Sequence, residues 1–169
     1  MPVTRLNHAV LYVRDVERSV AFYRDILGFS QVMGFPGAAF LQAPGSTNDH
    51  DLGLFEIGAG AGPSPAGRAT VGLYHLAREV DTLAALRDLA AKLSDAGALA
   101  GASDHSTTKS LYAKDPDGLE FEVAWVVPAD RIDDGVLAGR TSIKPLDLDR
   151  EIERYGAGLR GGVGISIPV

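Results

Sequence analysis

One histidine and one glutamate recur in step in this chain, and that pattern constrains the fold more than any other feature. His8 is followed 48 residues on by Glu56, and His75 is followed 47 residues on by Glu122. Each histidine opens an apolar, strand-like run, Asn7-His8-Ala9-Val10-Leu11-Tyr12-Val13 and Leu73-Tyr74-His75-Leu76-Ala77. Each glutamate sits in another, Leu52-Gly53-Leu54-Phe55-Glu56-Ile57 and Leu119-Glu120-Phe121-Glu122-Val123. The copies are offset by 67 residues at the histidines and 66 at the glutamates. So long a period in only two copies reads as a fused duplication, not a solenoid. Two units that each offer an imidazole and a carboxylate from strands can build one metal site between them.

The elements between these residues follow the same repeat. Residues 6–13 read as a strand, and Asp15 is placed to cap a helix over 16–27 with apolar residues at 16, 20, 23 and 27. Gly28 stops it. Three short strands are expected at 29–34, 38–43 and 50–57, separated by Gly, Pro and Ser turns. Residues 58–70 form a Gly/Pro/Ala linker. The order then restarts with a strand over 71–80, a helix capped by Asp81 and ended by Gly97, and strands near 98–102, 108–114 and 119–127. The expected division is module one at 5–57, the linker at 58–70 and module two at 71–127, together a domain over 1–127. Residues 128–169 form a C-terminal arm: a loop-rich stretch over 128–146, a short helix over 148–155, and a glycine-rich end over 156–169, expected to be extended or partly disordered and to pack on a partner subunit.

Composition sets the outer bounds. With 169 residues and 46% hydrophobic content, the chain suffices for one well-buried domain. A net charge of −6 argues against nucleic acid or an anionic membrane as partner, since both favour a basic face. No cysteine is present, which excludes disulfides, thiolate metal sites and a cysteine nucleophile. The first residues lack signal-peptide blocks, and no apolar run approaches a membrane span of ~18 residues. A cytoplasmic protein is the expectation. Any metal is then held by His, Asp, Glu or water.

Three blocks carry a family resemblance. The first is Asn7-His8-Ala9-Val10-Leu11-Tyr12-Val13-Arg14-Asp15 with Phe22-Tyr23-Arg24-Asp25-Ile26-Leu27-Gly28-Phe29; the second is Gly72-Leu73-Tyr74-His75-Leu76-Ala77. The third runs from His105-Ser106-Thr107-Thr108 through Tyr112 and Asp115-Pro116-Asp117-Gly118 to Phe121-Glu122. In this order over 5–127 they resemble the vicinal oxygen chelate superfamily, which includes glyoxalase I, extradiol dioxygenases and bleomycin-resistance-type binding proteins. The fold class implied is α+β: two tandem β-α-β-β-β modules forming facing curved mixed sheets around a metal cleft. A homodimer is also expected.

The resemblance implies His8, His75 and Glu122 as metal ligands. A lone histidine among apolar residues is usually a hydrogen-bonded core residue, but two at matched positions of a repeat favour ligation. Two histidines and one carboxylate make the facial triad that suits non-haem Fe(II) and leaves positions for substrate and oxygen. Ni(II), Zn(II) and Mn(II) remain alternatives. Glu120 shares strand parity with Glu122 and needs its own explanation. Glu56 stands as a candidate fourth ligand, as in glyoxalase I, or as a surface carboxylate if the run Asn48-Asp49-His50-Asp51-Leu52 keeps a dioxygenase-like register. His50 is then expected at the cleft rim or exposed.

In the extradiol branch a histidine near the metal moves protons, and a tyrosine ten residues before the ligand glutamate holds a substrate oxygen. His105 and Tyr112 fit those roles, although Tyr112 also reads as a packing aromatic. Lys109 reads as a cation for an anionic substrate or as a solvated strand-end lysine. Asp115-Pro116-Asp117-Gly118 is a turn by its own chemistry. The preferred function is an extradiol-type dioxygenase taking a catechol-like small molecule and O2. A glyoxalase-type lyase or isomerase and a non-catalytic, antibiotic-type binder are the alternatives.

Overall fold

Strand parity and capping shape the first module. The computed structural model describes residues 2, 3 and 5–162. β1 (Ala9–Val13) buries Leu11 and Val13 and leaves Val10 and Tyr12 exposed, so it has one core face. α1 (Val16–Asp25) begins where Asp15 accepts a hydrogen bond from Arg18 N, and it turns Val16, Val20 and Tyr23 inward. Gly28, at φ +77, takes the chain out of the helix in a conformation that favours glycine. β2 (Ser30–Phe35), β3 (Ala38–Gln42) and β4 (Leu52–Glu56) follow, and the sheet order is β1-β4-β3-β2. β1 pairs parallel with β4, and the other pairs are antiparallel.

The second module repeats the order. β5 (Leu76–Glu79) precedes α2 (Leu83–Asp95), whose Leu83, Leu86, Leu89 and Leu93 form its buried stripe. β6 (Leu99–Asp104), β7 (Thr108–Lys114) and β8 (Glu120–Val126) complete it. β5 pairs parallel with β8, and β7 lies antiparallel between β8 and β6. The helix face of this sheet carries Leu111, Ala113, Phe121, Val123 and the fully buried Trp125. The fold is therefore α+β, built of two β-α-β-β-β modules with mixed sheets of four and five strands.

The fifth strand comes from the segment after Val127. Residues 129–131 form a 3-10 turn, α3 spans Asp134–Gly139, and β9 (Lys144–Pro145) adds to β6 at Ser103 and Asp104. The loop expected over 128–146 thus contains a helix, which Asp133 starts by accepting a hydrogen bond from Val136 N. α4 (Leu148–Tyr155) occupies the expected helix and ends at Gly156. Ahead of α2, Thr82 rather than Asp81 is the cap: it stands in extended backbone one residue nearer the helix and accepts from Ala85 N. Asp81 instead gives its carbonyl to Gly161 N at 2.6 Å. Residues 157–161 thereby fold back on their own module, and Leu159 accepts from the Trp125 indole. Residues 163–169 of the glycine-rich end lie outside the described residues.

The chain divides into two compact units, Met1–Ser64 with Asp115–Gly118, and Pro65–Lys114 with Leu119–Val169. In the first unit the Asp-Pro-Asp-Gly turn is held through its carboxylates. Tyr23 Oη donates to Asp115 at 3.1 Å, and Arg14 meets Asp117 at 2.7 Å. Among the described residues, no helix is long and apolar enough to cross a membrane.

Candidate metal centre and acid–base pair

Register within each sheet decides which residues correspond. His8 lies one residue before β1 and His75 one residue before β5, so both precede the pairing rather than sit within it. In the second unit Leu76 pairs with Phe121 and Ala77 with Glu122. In the first, Ala9 pairs with Leu52 and Val10 with Gly53. The counterpart of Glu122 in the first unit is therefore Gly53, three residues short of Glu56. Glu56 pairs with Val13, on the opposite face of the sheet from Val10 and Tyr12. Its Oε2 accepts a hydrogen bond from Val16 N at 3.1 Å, at the start of α1. A carboxylate there satisfies an orphan amide and complements the helix dipole. The near-equal His–Glu spacings do not mark equivalent positions.

In the second unit, antiparallel pairing places Tyr112 directly opposite Glu122. Ser110 shares that face, two residues along β7. His75 Nε2 lies 3.0 Å from Glu122 Oε2, and Ser110 Oγ donates to Glu122 Oε1 at 2.5 Å. His105 Nε2 lies 2.7 Å from Tyr112 Oη, and the His75 and Tyr112 rings are 5.8 Å apart. His75, Glu122, Tyr112 and His105 are thus gathered within one unit. Ser110 joins them, marked in the sequence only by its strand parity with Tyr112.

Burial, and then the charge of Glu122, raise the Tyr112 pKa above the ordinary phenol value, with a hydrogen bond from Ser110 opposing them. Tyr112 is therefore a protonated donor at neutral pH. Glu120, on the same face, is the outer carboxylate: it pairs loosely with Lys114 at 3.8 Å and is 37% exposed, against 13% for Glu122.

His75 and Glu122 are in direct contact, and an imidazole with a carboxylate is a donor pair of the type that suits a divalent cation. Two donor atoms about 2.1 Å from one ion, at a right angle, lie about 3.0 Å apart. His75 Nε2 and Glu122 Oε2 have that separation. Ser110 fixes the other carboxylate oxygen, as hydrogen-bonded partners of metal ligands do. His75 Nδ1 is buried without a hydrogen-bond partner among the described residues. Among the described residues, no group of three or more His, Asp or Glu is gathered closely enough to hold a metal ion.

The first unit offers a different surface. The His8 and His50 rings are 4.5 Å apart, and the Nδ1 atoms are held by Asn7 and Asp49 at 2.8 Å each. His50 packs edge-on against Phe40 at 5.0 Å, and Phe40 meets Phe55 at 5.8 Å. His50, with its side chain 16% exposed, is part of an aromatic wall beside His8. Lys109 does not face a substrate: it is 1% exposed and ion-paired to Asp104 and Glu151. Strand parity puts it with Trp125 on the face opposite Tyr112.

A family model for the glyoxalase/bleomycin resistance protein/dioxygenase superfamily matches residues 5–123, and the chain belongs to that superfamily. It is 37% identical over 125 residues to a biphenyl-2,3-diol 1,2-dioxygenase of Rhodococcus globerulus, covering 73% of this chain and 64% of that one. It is 32% identical over 120 residues to a catechol-2,3-dioxygenase of Bacillus subtilis, covering 71% and 41%. A manganese-dependent 2,3-dihydroxybiphenyl 1,2-dioxygenase of Geobacillus genomosp. 3 is 27% identical over 139 residues, covering 79% and 40%. The chain thus spans 40–64% of the length of these relatives. Among solved structures, a glyoxylase/bleomycin resistance protein/dioxygenase domain from Frankia sp. EAN1pec superposes with a TM-score of 0.62 at 25% identity, covering 74% of this chain and 93% of that one.

Proposed function

We propose that this chain acts as an extradiol-type dioxygenase, opening the ring of a catechol-like small molecule with O2. The observation that carries this reading is the Tyr112–His105 contact of 2.7 Å on the face that also bears Glu122. A phenol that keeps its proton donates a hydrogen bond to one substrate oxygen. The imidazole behind it accepts or returns a proton through the same contact. That pairing suits a substrate whose two adjacent hydroxyls must lose protons and whose ring-opened product must regain one.

The proposed ligands are His75 and Glu122, with His8 as the third by family resemblance. A bound divalent cation would supply Lewis acidity and a common template for the two diol oxygens and O2. Nitrogen and carboxylate donors suit Fe(II) and Mn(II), and Fe(II) is the proposed ion. Glu56 is assigned to α1, so a glyoxalase-type reading loses its fourth ligand. A purely binding role gives no reason to gather His75, Glu122 and Tyr112, all partly withdrawn from water, around the buried Ser110, since desolvating polar groups is costly. A cytoplasmic homodimer completes the proposal.

The test is metal analysis of protein purified without oxygen, coupled to oxygen uptake and ring-cleavage absorbance with catechol and 2,3-dihydroxybiphenyl. Iron or manganese with oxygen uptake matching diol loss supports the reading. Nickel or zinc with turnover of a methylglyoxal–thiol adduct would replace it with the lyase.

A further inference from the structure

Two features that cost stability converge on the short turn carrying His105. Ser106 holds φ 69, the one left-handed non-glycine residue among those described. Lys109 is a buried ammonium, 2.6 Å from Asp104 and 2.9 Å from Glu151 of α4. Replacing such a buried pair by apolar residues is often neutral for stability, so stability alone is a weak reason for it. The anchors have a common target. Asp104 Oδ1 accepts both from Lys109 Nζ and from Ser106 N at 2.7 Å, tying the turn's backbone to the buried cation. Ser106 Oγ donates to the Val136 carbonyl of α3 at 2.7 Å. Gly139 leaves the room for this, since a Cβ there would stand 2.6 Å from Ser106 Oγ. β9 pairs with β6 at Ser103 and Asp104, just before the turn. The turn closes with His105 N donating to Thr108 O, and the His105 ring reaches Tyr112.

We propose that the segment from α3 to α4 is a clamp that sets the position of His105 against Tyr112. Lys109, Glu151, Asp104 and Ser106 are its positioning residues. The proposal deepens the dioxygenase reading and rests on it for the kinetic readout alone. Lys109 and Glu151 meet on the face of the sheet opposite Tyr112, and β9 joins at the β6 edge, so the clamp acts on His105 from outside the Tyr112 face. Breaking it loosens the proton-transfer pair while His75, Glu122 and Ser110 stay in place.

The experiment compares the wild-type chain with Lys109→Met/Glu151→Leu, and with Ser106→Gly, which removes the Val136 anchor and relieves the left-handed backbone. Each is measured for thermal midpoint, bound metal, the nitrogen shifts of the His105 ring by NMR, and kcat and KM for catechol. The expected result is an unchanged metal content and a midpoint within a few degrees of wild type. The His105 shifts move toward those of a free imidazole, and kcat falls at least tenfold with KM within about twofold. Lys109→Arg, which keeps a cation with several donors toward both carboxylates, retains more of kcat than the double variant. If the double variant does not fold, Ser106→Gly carries the same comparison. Wild-type His105 shifts and kcat in the variants, with or without a lowered midpoint, would overturn the clamp. If the wild type cleaves no diol, the dioxygenase reading fails, and the His105 shifts still decide the clamp.

Discussion

The two modules share a strand order and a ladder register, yet their sheet faces carry different chemistry. Around Glu122 the second unit gathers His75, Ser110, Tyr112 and His105. At the matching position the first unit has Gly53, surrounded by Val10 and Phe40, with His8, His50 and Phe55 close by. The two modules repeat one scaffold, and the cluster of interacting polar groups lies in the second. The first module instead sets two imidazoles, His8 and His50, beside Phe40 and Val10.

The largest effect in breaking this asymmetry comes from its polar side. Glu122→Ala is expected to abolish stoichiometric metal binding and to lower ring cleavage by at least about a thousandfold, checked by metal analysis and oxygen uptake. Next is Tyr112→Phe, which removes the phenol and leaves the ring. It should retain metal and lose roughly 10²-fold or more in kcat, the range usual for a positioned acid or base. His105→Gln should match it, and the double variant should fall little below either single one, because the two act as one unit.

Glu56→Ala tests the other side of the comparison. Loss of its hydrogen bond to the Val16 amide should cost about 1 kcal/mol of stability, read by denaturant unfolding, with metal content unchanged. The smallest effect is expected with pH. Burial pushes the Asp104 carboxyl up, but Lys109, the Ser106 amide and Lys144 outweigh it and hold its pKa below the ordinary value. Its stabilising contribution is present above the unfolded pKa of about 3.9 and is lost as pH falls through the lower folded value. Acid unfolding monitored at Trp125, which packs 5.4 Å from Tyr155, should therefore move to higher pH in Asp104→Asn.

Much of this was legible in the sequence for physical reasons. Asp15, Gly28 and the apolar spacing of α1 specify a helix locally, and the turn Asp115-Pro116-Asp117-Gly118 specifies its own geometry. The pairing of His105 with Tyr112 rested on family resemblance. Register was not legible. The spacings of 48 and 47 residues made Glu56 look like the twin of Glu122, but spacing counts loop residues, whereas equivalence is set by which strand residues pair. Lys109 misled for a related reason. A lysine in an apolar strand has no visible partner until α4 brings Glu151 to it from 42 residues away. Long-range ion pairs leave no periodic trace.

The central claim is that the repeat is broken at its carboxylates, with Glu122 as the proposed metal ligand and Glu56 bound to the first amide of a helix. The most direct test is the bound divalent metal per chain in Glu56→Ala and Glu122→Ala, prepared side by side without oxygen. The expected result is wild-type metal content in Glu56→Ala and loss of the ion in Glu122→Ala. Equal loss from both variants, at unchanged folding, would contradict it.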